Sequence, residues 1–218
     1  MKLVHPYYID PLEIKEDSPE TLVIERPEYF RKVINELVIQ CNTGYGDFVL
    51  SEGTQTLQLN KECMLISDVF NLGFDNRSLK TKLQQILVEE CQENMLEPII
   101  SEINQLGAEL CSTSRYPITF NMNLTITDLV KMLDFSVDSE SMDELERLLE
   151  YISMNCELLG KNLVIILGIK DLMSRDEYIE FIKMMQYRKI KLLMIEHQQH
   201  DYDDLRHLRI IDNDLCVI

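Results

Sequence analysis

Asn162-Leu163-Val164-Ile165-Ile166-Leu167 is the most hydrophobic strand-length run in the chain, and Lys191-Leu192-Leu193-Met194-Ile195 is a second. Neither alternates, so each reads as a central strand covered on both faces. Between them Ser174-x-x-Glu177 makes a capping box, in which each side chain satisfies an amide of the first helical turn. The helix it opens carries Tyr178, Phe181, Ile182 and Met185 on one face. Strand, helix and strand at this spacing predict a right-handed crossover in a parallel sheet. The fold class is α/β.

Working back from this unit, Ser141-x-x-Glu144 reads as another capping box, opening a helix with Leu145, Leu148, Leu149, Ile152 and Cys156 inward and Gly160 as its stop. From about Asn76 to Glu109 turn signals are almost absent. Leu79, Leu83, Ile86, Leu87, Ile99, Ile103, Leu106 and Leu110 follow a helical period, which Pro98 should kink or interrupt. Residues 117–124 alternate, and 125–133 read as a short helix. Near the start, Leu3, Val4 and Tyr7, then residues 11–15 and 21–24, read as extended. Pro27 opens a helix with Phe30, Ile34, Leu37 and Val38 on one face. Residues 48–50 and 56–59, joined by Ser51-Glu52-Gly53, predict a hairpin, and Cys63-Met64-Leu65-Ile66 a buried strand. Residues 208–211 and 216–218 finish the chain as short strands. Residues 1–75 and 161–218 thus form an α/β head, and 76–160 an inserted, mainly helical segment.

The 218 residues, 45% hydrophobic and 27% charged, exclude wholesale disorder and fibrous repeats. The longest apolar run is too short to span a bilayer, the opening lacks a signal-peptide stretch, and six scattered cysteines show no CxxC. A soluble cytoplasmic protein is expected. Its net charge of −17 argues against nucleic acid and anionic membrane, but the charge is uneven. Residues 161–191 reverse the balance, with 7 basic against 4 acidic side chains. Net charge alone therefore does not exclude DNA.

A parallel sheet invites a nucleotide, yet no GxxxxGK[ST] or GxGxxG is present. Gly44-Tyr45-Gly46 follows a helix and reads as a plain turn. Glu196-His197-Gln198-Gln199-His200-Asp201, with Asp203 and Asp204 close by, follows the last strong strand, where open sheets place ligands. It reads as a polar loop or a metal-binding lip. Glu89, Glu90, Glu93 and Glu97 read as a solvated helix face before a metal patch. Asp134, Asp138, Glu140, Asp143, Glu144 and Glu146 form a denser acidic cluster without an EF-hand pattern. Arg77, Lys80 and Lys82 crowd a helix start, where the dipole prefers acids. With Arg188, Lys189 and Lys191 they fit scattered surface charge or a phosphate track.

LVIERPEYFRKVI (22–34), MLISDVFNLGFDNRSLKTKL (64–83), TITDLVKMLDFSVD (125–138), KNLVIILGIKDLMSRDEYIEFIKMM (161–185) and KLLMIEHQQHDYDDL (191–205) together resemble the Csn-two (Csn2) family of type II-A CRISPR systems. The resemblance implies a core like that of P-loop ATPases but without the Walker A loop, with an inserted α-helical leg domain. It implies no enzymatic activity, but a homotetrameric ring that binds double-stranded DNA ends without sequence preference during spacer acquisition. It further implies calcium ions that stabilise the ring, and as partners the CRISPR integrase proteins and the effector nuclease, with no membrane. Lys131 matches a basic position of the family, as do Lys15 and Lys61; Arg77, Lys80 and Lys82 join them as DNA-binding candidates. Asp134 and Asp138 are the calcium candidates, since residues 115–123 lack the acids of short relatives. The alternatives are a metal-dependent nuclease or nucleotide hydrolase, and an acidic protein-interaction adaptor that does not touch DNA.

Overall fold

The computed structural model describes residues 1–5, 9–91 and 96–218. In chain order it has strands β1 (Lys2–His5), β2 (Ile9–Glu13) and β3 (Glu20–Ile24), helix α1 (Pro27–Thr43), and strands β4 (Val49–Glu52) and β5 (Gln55–Leu57). A short α2 (Leu59–Glu62) leads into β6 (Cys63–Ile66). Helices α3 (Arg77–Glu90), α4 (Leu96–Thr113), α5 (Ile126–Leu133) and α6 (Glu144–Leu159) follow. The chain ends with β7 (Leu163–Leu167), α7 (Arg175–Tyr187), β8 (Lys191–Glu196) and β9 (Leu208–Ile211). It divides into two compact units, Met1–Leu72 with Ser139–Ile218, and Gly73–Asp138.

The first unit holds a five-stranded sheet of order β6-β7-β8-β3-β9, whose pairs are all parallel. The two continuous apolar runs are neighbours at its centre, as their lack of alternation requires. One face buries Leu22, Ile24, Leu163, Ile165, Leu193 and Ile195 against Val33 and Leu37 of α1 and against a small antiparallel sheet of order β2-β1-β4-β5. The other face buries Val164, Ile166, Leu192 and Met194 against α6 and α7 through Leu148, Ile152, Phe181 and Met185. Each such side chain contributes about 1.5–3 kcal/mol on leaving water. The predicted hairpin is present, with Glu52 opposite Gln55. Tyr7 lies outside the described residues. Residues 216–218 form a single bridge, Ile211 to Val217, rather than a strand.

Two boundaries move. The helix after the acidic cluster is capped by Asp143 and Glu146, two residues later than the Ser141/Glu144 box. Asp143 offers the same acceptor chemistry and lies next to the first residue with a buried stripe to serve. That helix belongs to the sheet unit rather than to a 76–160 insertion, because Leu148 and Ile152 complete the second core face.

In the second unit α3 and α4 are separate helices where one helix, kinked or interrupted at Pro98, was expected. Pro98 falls in the first turn of α4, where its missing N–H would have had no intrahelical partner. Residues 117–124 form no strand. Instead Phe120 packs on α4 at Gly107, where a Cβ would lie 2.4 Å from the ring. Helix α5 starts with a complete capping box, Thr125 with Asp128, and packs on α3.

Candidate nucleic-acid interface

In the sheet unit, parallel pairing gathers basic residues from distant stretches along one edge. Cys63 lies opposite Leu163, and Leu163 opposite Lys191, so β6, β7 and β8 begin level. Lys61, Lys161 and Lys189 immediately precede or adjoin those starts, on strands about 4.8 Å apart. Lys15, Lys189 and Lys191 line a groove of about 530 Å³ that also takes in the Met1 amino group. That amine donates to the Ile14 carbonyl at 2.8 Å. Its pKa is lowered, first by burial and then by the nearby Lys191 charge.

The charges on this edge differ in availability. Lys191 is held by Glu52 at 3.1 Å and Glu16 at 3.5 Å. Lys161 donates to the carbonyls of Asn60 and Lys61 at 2.9 and 2.8 Å. Lys15, Lys61 and Lys189 are exposed and make no salt bridge among the described residues. The structure thus places Lys15 and Lys61 on the edge that also carries the 188–191 basic run. A second groove of about 510 Å³ shares Lys15 and continues to Arg206 and His207. Arg206 is bound to Asp204 at 2.8 Å, which with the neighbouring backbone bond holds that carboxyl down at about 2.

In the helical unit, Arg77, Lys80 and Lys82 occupy the start of α3, whose first turn has no acid and whose cap is Asn76, accepting from the Ser78 N–H at 2.8 Å. Lys131 is exposed in the last turn of α5, where a cation complements the helix dipole. It lines a cleft of about 520 Å³ with Thr81, Gln85, Val88 and Glu89 of α3. Glu97 begins a separate helix from Glu89 and Glu90, so the acidic stack is not one face, and Glu93 lies outside the described residues.

The two calcium candidates lie in different settings. Asp134 adopts a left-handed backbone at the end of α5, and its carboxylate is taken by the Lys80 ammonium. Calcium asks for six to eight oxygens. Among the described residues neither Asp134 nor Asp138 belongs to a group of three ligand side chains.

A different polar cluster lies at the C-terminal ends of β7 and β8, with Thr21 near the start of β3 beside it. Lys170 is 2% exposed. Its ammonium is bound to Asp203 and to Thr21 Oγ1 at 2.9 Å, and it sits 5.1 Å from the centre of the Tyr178 ring. Its backbone N–H donates to Glu196 Oε1 at 3.2 Å, and its carbonyl accepts from Tyr202 at 3.0 Å. Burial pushes the Glu196 carboxyl up to about 7, against the Lys170 N–H and charge that lower it. Burial likewise raises the Tyr178 phenol. The reading of the 196–201 segment named Glu196 at this strand end but missed Lys170 and Asp171 as its neighbours. A lysine three residues after the most apolar strand, and a glutamate closing another, were the available signals.

The model of the family described as CRISPR-associated protein (Cas_Csn2) matches residues 40–215. The chain belongs to the Csn2 family. The CRISPR-associated protein Csn2 of Streptococcus agalactiae is 22% identical over 162 residues, which cover 72% of each chain. The Csn2 match takes in β7, β8 and the helical unit, while Lys15 and Thr21 precede it. Among the described residues no helix is long and apolar enough to cross a membrane.

Proposed function

We propose that this Csn2 chain is a non-enzymatic protein that binds double-stranded DNA ends without sequence preference, as a homotetrameric ring, during CRISPR spacer acquisition. The observation that carries the reading is the basic edge of the parallel sheet. In a chain of net charge −17, Lys15, Lys61 and Lys189 stand exposed, with no salt bridge among the described residues, beside Lys161 and Lys191. Lysines at such a spacing contact phosphate oxygens and carry no base preference. In this reading Arg77, Lys82 and Lys131 add contacts from the helical leg domain. The integrase proteins and effector nuclease of the locus are its partners.

A P-loop-ATPase-like core that has lost nucleotide chemistry fits the junction after β3. The link to α1 is Glu25-Arg26, with Pro27 at the first helical position. Glycines and amides that would cradle phosphates are missing there. Self-association is supported by α4, on which Ile99, Leu106 and Leu110 are exposed and Ile103 partly so. Their 4-3-4 spacing is that of a helix–helix seam.

The test is binding of the purified full chain to one duplex in linear and covalently closed forms, across a salt series, with light scattering for oligomeric state. Salt-sensitive binding to the linear form alone, by a tetramer, is expected. Combined Lys15→Glu, Lys61→Glu and Lys189→Glu should lower the slope of log affinity against log salt by about 3. Lys131→Glu should weaken binding without unfolding the chain. Unchanged affinity in the folded triple variant overturns the edge as the interface. Failure of both DNA forms to bind leaves the acidic adaptor reading instead.

A further inference from the structure

We propose that Asp171, Glu196 and His200 form a binding site for one borderline divalent cation of the zinc class, independent of any DNA contact. The three residues come from a turn of 3-10 helix after β7 (Lys170–Leu172), the last position of β8 and the loop beyond it. These are the C-terminal ends of adjacent parallel strands, where open α/β sheets bind ligands. One ligand atom from each lies within 4.8 Å of the other two.

Two buried atoms in this cluster have no hydrogen-bond partner among the described residues, Glu196 Oε2 and His200 Nε2. Glu196 is wholly enclosed. A buried carboxylate oxygen and a ring nitrogen left unbonded at one point are costly unless something electropositive binds both. His200 Nε2 stands 3.4 Å from Asp171 Oδ1. Two ligands about 2.1 Å from a tetrahedral zinc ion lie about 3.4 Å apart.

The surroundings supply the outer contacts that orient metal ligands. Gln198 Nε2 donates to Asp171 Oδ1 at 3.0 Å, and the Lys170 N–H holds Glu196 Oε1. The His200 backbone N–H donates to Asp203 at 2.8 Å, fixing the loop that presents the ring. When ionised, Asp171, Glu196 and Asp203 outnumber Lys170 by two charges, which a divalent cation neutralises. The imidazole selects against calcium and magnesium, which take oxygen ligands. Three protein ligands leave a fourth position for water on the side of the half-exposed Asp171. The other three-residue group, His5, Glu36 and Asp47, contrasts with this one, because His5 Nε2 is already bonded to Glu36 at 2.7 Å.

The test is calorimetric titration of the chelator-treated full chain with Zn²⁺, repeated with Ca²⁺ and Mg²⁺, and with Co²⁺ read by absorption. One Zn²⁺ per chain should bind, and Co²⁺ should show no thiolate charge-transfer band despite six cysteines. Glu196→Gln and His200→Asn should each weaken Zn²⁺ binding at least about tenfold, with His5→Asn unchanged. Circular dichroism confirms that the variants fold; if Glu196→Gln does not, Asp171→Asn on the open side replaces it. Undiminished Zn²⁺ binding in folded Glu196→Gln or Asp171→Asn and in His200→Asn overturns the site. Sensitivity to His5→Asn, a thiolate band, or no Zn²⁺ binding does the same.

Discussion

In the sheet unit Ile14, Leu22, Leu163, Ile165 and Leu193 are wholly enclosed between layers, with apolar partners on each face. In residues 73–138 the only buried side chains among those described are Leu79, Leu129 and Val130, while Ile99, Leu106, Leu110, Met132, Leu133 and Phe135 are exposed. Both stretches are rich in apolar residues, so composition does not make the difference. Layering does. A sheet covered on two sides encloses every strand residue, whereas a few helices enclose only the stripes that face one another. The helical unit therefore relies more on caps and local turns, and its opening free energy should be lower.

The comparison breaks most visibly if core truncation fails to separate the two units. Leu193→Ala should cost about 2–5 kcal/mol in urea unfolding, while exposed Leu106→Ala should stay within about 0.5 kcal/mol in the dissociated chain. Equal losses would mean that the helical unit has a hidden core. Hydrogen exchange sharpens the same point, since amides of β7 and β8 should exchange only near global unfolding and those of α4 by local opening. A smaller effect is expected at the start of α5. There Thr125→Ala removes an acceptor for the Asp128 N–H, costing about 1 kcal/mol of local stability and speeding exchange in α5.

The smallest prediction concerns pH. Hydrogen bonds from Thr125 hold the Asp128 carboxyl below its ordinary value of 3.8. Stability from this pair is therefore present above about 3.8 and is lost as pH falls through the lower folded value. Exchange in α5 should quicken below that pH in the parent chain and be nearly flat in Asp128→Asn.

The central strands were legible because continuous apolar runs of strand length have few other uses, and the Ser174/Glu177 box marks the crossover helix directly. Strand, turn and helix signals act over a few residues, which is the range a sequence pattern covers. The failures were of two kinds. Competing caps two residues apart, Ser141 and Asp143, offer the same chemistry, and packing chose between them. Assigning α6 to the insertion failed because amphipathicity says that a face is buried but not against what.

The candidate sites divide the same way. Lys131 was visible as a residue, but the cleft it lines with Thr81, Gln85 and Val88 depends on α3 packing on α5. Lys61 and Lys189 are far apart in the chain but precede strands that begin level, and Lys15 joins Lys189 in one groove. Lys170 looks like a loop lysine until Asp203 and Thr21 enclose it.

By itself the sequence determined the α/β class, the parallel crossover and the lack of a phosphate loop, because these follow from local periodicity, capping chemistry and residue type. Tertiary structure alone decided the basic edge and the Asp171–Glu196–His200 cluster. Parallel pairing aligns strand starts with strand starts and ends with ends, so it collects side chains separated by tens of residues at positions no local pattern records.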